Sequence, residues 1–407
     1  MIEVAVIGSV EALGRATWDA VATAVPGSPF LHWGFLSALE EANAVGPRAG
    51  WVAQHFVARL TVPGLPARIV GLAPAWLKSH SMGEFVYDWA WADAAERAGL
   101  RYYPKLVIGA AFSPVTGPRL LVDPTLDPGL QRQIKRALLV AALDHARAND
   151  VSGVHLLFCT EDELAIAQEL GMAHRLGCQF HWADAGYADF DAFLARFPSK
   201  RRNQIRRERR RVQEQGVTLT SQVGAEVEDR WIGTAFDFYG ATVDRYVWGR
   251  RYLSKRVFEL LWERMRPYLN LVLARRGDEV VGGSLNLQSH PDPRLLPALA
   301  ASPTFAAAPV RRFGRYWGAL AEVQDLHFEV CSYYAIEDSI RRGVSIFEAG
   351  AGGEGHKLGR GFLPARTHSA HLLFQPSFHD AIADFCRREK AHVEREIEVQ
   401  SDEVFVR

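Results

Sequence analysis

Chemically reactive side chains are densest between Phe347 and Phe362, in the run F-E-A-G-A-G-G-E-G-H-K-L-G-R-G-F. Glycines there let backbone approach a ligand closely. The same run carries a carboxylate (Glu348), an imidazole (His356), an ammonium (Lys357) and a guanidinium (Arg360). Such a set can bind an anion and move a proton. The plainer alternative is a loop between two strands. A second segment is cationic: eight of the twelve residues from Lys200 to Arg211 are basic. It reads as a phosphate-binding helix that includes Arg201, Arg202 and Arg206, or as a solvated surface helix. A third segment runs Y-D-W-A-W-A-D from Tyr87 and R-Y-Y-P-K from Arg101. Asp88, Tyr103 and Lys105 fit a substrate groove, while the tryptophans fit a core equally well. A fourth, Phe238 to Tyr246, offers Arg245 on a polar helix face.

Other chemistries lack their patterns. There is no H-E-x-x-H, G-x-S-x-G or Walker loop. His368 and His371 lie in a predicted strand, where positions three apart point to opposite faces, so no metal site is expected. The four cysteines, Cys159, Cys178, Cys331 and Cys386, form no C-x-x-C pair and are read as inert and reduced.

The elements that must hold these residues follow one plan twice. In each half a helix precedes a strand, a tight turn and a second strand carrying V-G near its start. These are Gln54 to Leu60 with Arg68 to Trp76, and Asn270 to Arg275 with Glu279 to Gln288, the latter joined at Gly277-Asp278. Each half then has a later helix leading into a strand: Pro128 to Asn149 into Gly153 to Phe158, and Ser332 to Arg342 into Ser345 to Glu348. Gly171, Gly216 and Gly343 are placed to stop helices. The alternation predicts an α/β sheet in each half, with the join between Ala183 and Ala188. The domains expected are therefore 1–184 and 185–407. The second contains the basic helix, a Pro/Ala-rich excursion at 289–310 and a long C-terminal helix from Ser377.

A chain of 407 residues with 48% hydrophobic residues supports two such domains. Lys+Arg and Asp+Glu are both 47, so no global field favours nucleic acid or a membrane. The start, Met1-Ile2-Glu3-Val4, lacks a basic leader region. The longest apolar run is broken by Pro297, Pro303 and Pro309. A cytoplasmic protein with no membrane span is expected.

Several blocks together resemble the bacterial FemAB-like predicted N-acyltransferases. They are L-K-S-H-S-M-G-E-F-V-Y-D-W-A-W-A-D at Leu77, S-K-R-R-N-Q-I-R-R-E-R-R at Ser199, Y-L-S-K-R-V-F at Tyr252, R-Y-W-G-A-L at Arg315, H-F-E-V-C-S-Y-Y at His327 and E-A-G-A-G-G-E-G-H-K-L-G-R-G-F-L-P at Glu348. The resemblance covers nearly the whole chain. It implies two tandem GNAT-like (acyl-CoA N-acyltransferase-like) domains. It also implies transfer of an acyl or aminoacyl group to an amine, with aminoacyl-tRNA as donor and a peptidoglycan precursor as acceptor in Fem relatives. No resident cofactor is implied, because the donor, aminoacyl-tRNA or acyl-CoA, is a co-substrate. On that basis Glu348 or His356 would accept the proton, and Lys357 and Arg360 would hold an anion or oxyanion. Arg201, Arg202, Arg206 and Arg245 would hold phosphates. The pyrophosphate loop Q/R-x-x-G-x-G/A has no good match. Arg311-Arg312-Phe313-Gly314-Arg315-Tyr316 begins like it and then places Tyr316 where a small residue is needed. Two rivals remain: a nucleic-acid-binding module resting on the basic helix, and a non-catalytic protein that recognises cell-wall precursors.

Overall fold

Pro74 divides the segment that reads as one strand from Arg68 to Trp76. Proline has no amide hydrogen to give to a ladder, and the chain changes sheets there. The computed structural model describes residues 1–245, 251–352, 354–402, 404 and 405. Its first strands are β1 (Ile2–Ile7), β2 (Trp51–Ala53), β3 (His55–Leu60), β4 (Arg68–Ala73) and β5 (Ala75–Lys78). Next come β6 (Lys105–Ile108), β7 (Leu121–Val122), β8 (Gly153–Cys159) and β9 (Ala173–Ala183). The last six are β10 (Val217–Val223), β11 (Leu269–Arg276), β12 (Glu279–Gln288), β13 (Arg311–Ala319), β14 (Ile346–Glu348) and β15 (Leu363–Leu373). The fold is mixed α/β, as the sequence predicts.

Contacts divide the chain into two compact units. The first is Met1–Cys178 with Arg366–Arg395, and the second is Gln179–Ala365 with Glu396–Arg407. This differs from the linear division at 184/185. The reason is that the end of the chain returns to the first unit: β15 pairs with β8, matching His371 to His155 and Leu373 to Gly153. Ile382 and Cys386 of the last helix pack with Trp91 and Tyr102.

In the first unit β1, β3, β4 and β7 form an antiparallel sheet. β2, β5, β6 and β8 belong to another, in which β6 and β8 are parallel. The connection between those two contains the helix Pro128–Ala148. Its buried residues Ile134, Leu138, Leu139, Ala142, Leu143 and Ala146 repeat at helical spacing and form one apolar face. Burying each Leu or Ile there stabilises by about 1.5–3 kcal/mol.

In the second unit β10, β11, β12 and β13 are antiparallel neighbours. The β11–β12 hairpin turns at Gly277, whose φ of 59° suits glycine. β13 then pairs parallel with β14. The helix joining them starts at Leu326, earlier than Ser332, and runs to Arg341 through a π-helical turn at Glu329–Tyr333. A buried ion pair, Arg312 Nη2 to Asp338 Oδ2 at 2.8 Å, fixes that helix to β13. The excursion at 289–310 folds into two short helices, Pro297–Ala300 and Pro303–Ala307. The segment Arg311–Tyr316 lies inside β13, so it is not a loop before a helix. Among the described residues, no helix is long and apolar enough to cross a membrane.

Candidate active site

The register of β14 against β9 sets Glu348 opposite His181. Glu348 is buried, and its Oε1 accepts from Arg311 Nε at 3.0 Å and from Arg311 Nη2. Its Oε2 lies 3.8 Å from His181 Nε2. Burial lowers the His181 pKa, Glu348 opposes that, and the positive charges of Arg311 and Lys357 add to it. His181 is therefore a neutral imidazole near pH 7, its Nε2 within hydrogen-bond reach of Gln179 Oε1 at 3.3 Å and the Glu348 carboxylate just beyond. The sequence reading missed it. Glu348 is the carboxylate expected, and Arg311 holds its Oε1.

Beyond Glu348 the chain enters the glycine run. Gly350 and Gly352 take φ of 81° and 78°, left-handed backbone that side chains rarely adopt. The short helix Glu354–Leu358 follows. Lys357 Nζ donates to Gly350 O and ties the turn together. His356 is exposed, with its ring 5.7 Å from that of Phe328.

Arg360 behaves otherwise than predicted. Its guanidinium donates to Glu208 Oε2 at 3.1 Å and to His356 O at 2.9 Å, and it lies 3.4 Å from the centre of the Phe328 ring. Tyr333, on the π-helical turn, donates to the same Glu208 oxygen. Arg360 is buried and joins three elements, so it does not face a ligand and its catalytic assignment is corrected. Gly361 follows because a Cβ there would come within 2.6 Å of Phe193.

A second imidazole, His327, was also missed. Its ring packs 5.0 Å from Trp317 and 5.6 Å from Phe328. Desolvation on that packed side, then the charges of Arg360, His356, Lys357 and Arg245, lowers its pKa to about 4. Arg245, His327, His356 and Lys357 thus share one electropositive region. Arg245 itself is exposed and donates to Ala319 O at 3.4 Å. Tyr246 and Gly353 lie outside the described residues.

The basic helix forms at Ser199–Glu214, and Gly216 with φ 74° ends its turn. Its buried side carries Ile205, Glu208 and Val212. Arg209 pairs with Glu329 and Glu337, and Arg211 pairs with Asp325. Arg202 donates to Phe197 O and Ser199 Oγ, so it is turned toward its own helix start. Arg206 pairs with Asp191 at 3.0 Å in solvent. Arg201 reaches the glycine loop, its guanidinium 3.1 Å from where a Cβ on Gly359 would stand. Lys200, Arg207 and Arg210 are exposed and have no acidic partner among the described residues.

Neither unit offers a pyrophosphate cradle at its crossover helix. In the second unit the segment between β13 and Leu326 has no glycine and ends in Asp325, which pairs with Arg211 at 2.7 Å. In the first, Asp127 accepts from Gly129 N and Leu130 N. Asp127 uses amides that an anion would need, while Asp325 bonds to no amide of its helix and only places a negative charge at the helix start.

The aromatic segment of the first unit splits between roles. Lys105 is fully buried, with Glu84 Oε2 at 2.7 Å, Ser81 Oγ at 2.9 Å and Asp88 Oδ2 closer still. Burial works against its ammonium, but Glu84 and Asp88 outweigh that and hold its pKa up. Asp88 is held low by Lys105 despite burial. Lys78 lies 3.5 Å from the centre of the Trp51 ring, and burial brings its pKa down to about 7. Tyr102 donates to Asp88 at 2.6 Å. Asp88 and Lys105 are therefore closed off from solvent, a correction to the groove assigned to them. Tyr103, bonded to Ser81 at 2.7 Å, remains partly exposed.

Residues 9–407 match the model of the FemAB-like family, described as peptidoglycan biosynthesis and recognition. No curated protein matches the chain. Solved structures similar to it include L-PGS from Bacillus licheniformis, at 10% identity over 86% of this chain and 94% of that one, with a TM-score of 0.43. A conserved protein of unknown function from Bacteroides thetaiotaomicron matches at 9% identity over 91% and 99%, TM-score 0.46. The C-terminal domain of a putative lysylphosphatidylglycerol synthetase from Agrobacterium fabrum matches at 10% identity over 86% and 95%, TM-score 0.46.

Proposed function

We propose, for a chain that belongs to the FemAB-like family of peptidoglycan biosynthesis and recognition proteins, an N-acyl transfer at the end of β14. The membership supports a transferase related to peptidoglycan. The finer reading is transfer of an acyl or aminoacyl group to an amine, and the observation that carries it is the His181–Glu348–Arg311 arrangement beside the glycine turn.

The acceptor amine attacks the acyl carbonyl, forming a C–N bond and an oxyanion. His181 takes the amine proton, its imidazole kept neutral by burial, held by Gln179 and flanked by Glu348. The proton passes to the leaving oxygen or sulfur as that bond breaks. Lys357 is the ammonium nearest the developing oxyanion. Arg245, His327 and His356 hold an anionic part of donor or acceptor, and Arg201 holds a donor phosphate from the other side of the loop. The donor is a co-substrate. Asp127 and Asp325 argue against a CoA pyrophosphate, and the exposed cations Lys200, Arg207 and Arg210 suit an RNA backbone. Such substrates fit a cytoplasmic protein.

The test offers purified protein tRNA charged with labelled amino acids, or acetyl-CoA, with a UDP-linked muramyl pentapeptide as acceptor. Label should pass from tRNA to the pentapeptide. His181→Gln should slow that about 100-fold or more without changing thermal unfolding. Transfer unaffected by His181→Gln, or made only from acetyl-CoA, overturns the reading. Pentapeptide binding with no transfer would instead leave the recognition role.

A further inference from the structure

The helix Ser199–Glu214 offers Lys200, Arg207 and Arg210 to solvent, yet Glu208 in the middle of it is buried. A carboxylate taken out of water must be paired and hydrogen-bonded to stay charged. Glu208 meets both conditions. Its Oε1 accepts from Gln204 Nε2 at 2.7 Å, and its Oε2 accepts from Tyr333 Oη and from Arg360 Nη2 at 3.1 Å. Burial works against the carboxylate, but Tyr333, Gln204 and Arg360 hold its pKa below the ordinary value.

Arg360 is held on its other sides too. Its Nη1 donates to His356 O at 2.9 Å, and its guanidinium lies 3.4 Å from the centre of the Phe328 ring. The carbonyl of His356 directly precedes Lys357, inside the helix Glu354–Leu358. A helix of that length does not sustain itself in water. It also follows Gly350 and Gly352, whose positive φ leaves the incoming backbone free of side-chain constraint. The Arg360 side chain ties this turn to something firmer. Glu208 belongs to a helix whose Arg209 pairs with Glu329 and Glu337, and whose Arg211 pairs with Asp325. A guanidinium fork can reach Glu208 and His356 O at once, which the single ammonium of a lysine does not reproduce.

We infer that Glu208 is a positioning residue for the transfer, acting through Arg360 to fix the turn that presents Lys357. This rests on the proposed reading of that loop. The helix that offers cations to the donor on its outer face thus sets, from its inner face, the ammonium that meets the oxyanion.

Two readouts test it, on Glu208→Gln and on Arg360→Lys. The second keeps a cation beside Glu208 while giving up the hold on His356 O, so its thermal unfolding should stay close to that of the unaltered chain. The first readout, hydrogen exchange, needs no turnover. Arg360 N and Phe362 N donate to Lys357 O at 2.9 and 3.2 Å. Both substitutions should speed exchange at these amides about tenfold, with the amides of β10, β11 and β12 unchanged. The second readout is transfer from charged tRNA. Both substitutions should lower kcat about tenfold and leave KM for tRNA unchanged. Exchange unaffected by both substitutions, a loosened turn with kcat intact, or a loss seen only in KM would each overturn the inference. No transfer by the unaltered chain would instead overturn the reading on which it rests.

Discussion

Each unit contains one parallel strand pair joined through a helix, and the two pairs end in opposite ways. Beyond β6 and β8 the space is filled. Arg119, almost fully buried, donates to Leu157 O at 2.8 Å, to Pro118 O at 3.2 Å and to Val115 O. Glu163 accepts from the backbone of Arg119, Leu120 and Thr160 at 2.7, 2.6 and 3.1 Å. These bonds of Arg119 and Glu163 end on the protein's own backbone. Beyond β13 and β14 the chain instead turns on glycines beside His181, Lys357 and His356. One topology thus serves two ends: ionisable groups paired among themselves stabilise, while the neutral, partly exposed imidazole of His181 is the group the proposed transfer uses.

The largest expected effect tests the buried charges of the first unit. Lys105→Met leaves Glu84 and Asp88 buried without their shared cation, a change worth about 3–5 kcal/mol. Urea unfolding should lose stability on that scale. If Lys105→Met left stability intact and abolished transfer, the first unit would be a chemical centre too and the contrast would fail.

The open end is sharpened by pH. His181 sits below its ordinary value of 6.5, so transfer should be flat above that pH and fall as His181 gains a proton below it. Glu348 raises the His181 pKa. Glu348→Gln should therefore move the acid limb to still lower pH while reducing the plateau rate about tenfold, roughly 1.4 kcal/mol. An acid limb that moved upward would remove His181 as the titrating group.

The smallest effect belongs to the basic helix. Replacing Lys200, Arg207 and Arg210 with Gln should weaken tRNA binding several-fold at about 0.1 M salt. The slope of log affinity against log salt should become shallower by about 2–3. An unchanged slope would make this face a solvated one.

Features encoded within a few residues were legible in the sequence. The Gly277-Asp278 hairpin and the helix stops at Gly171, Gly216 and Gly343 all follow from local conformational preference. What was not legible depends on partners far along the chain. His181 acquires meaning only through the β9–β14 register. Arg360 looked like a ligand-facing cation because Glu208, its partner, is 152 residues away. Asp88 and Lys105 were grouped correctly, but no local pattern says that their charges cancel in a buried cluster. Asp127 and Asp325 carry no sign of their place in the sequence, because only the fold shows which residues begin the crossover helices.

The return of Arg366–Arg395 to the first unit has a consequence for synthesis. A ribosome delivers residues 1–178 first, yet the strand that pairs with β8 and the helix that covers Trp91 and Tyr102 arrive only with the final tenth of the chain. Until then the first unit carries an unpaired strand edge and uncovered aromatic surface, the features by which nascent chains associate wrongly. The part of the protein made first is thus completed only after most of the second unit has been made.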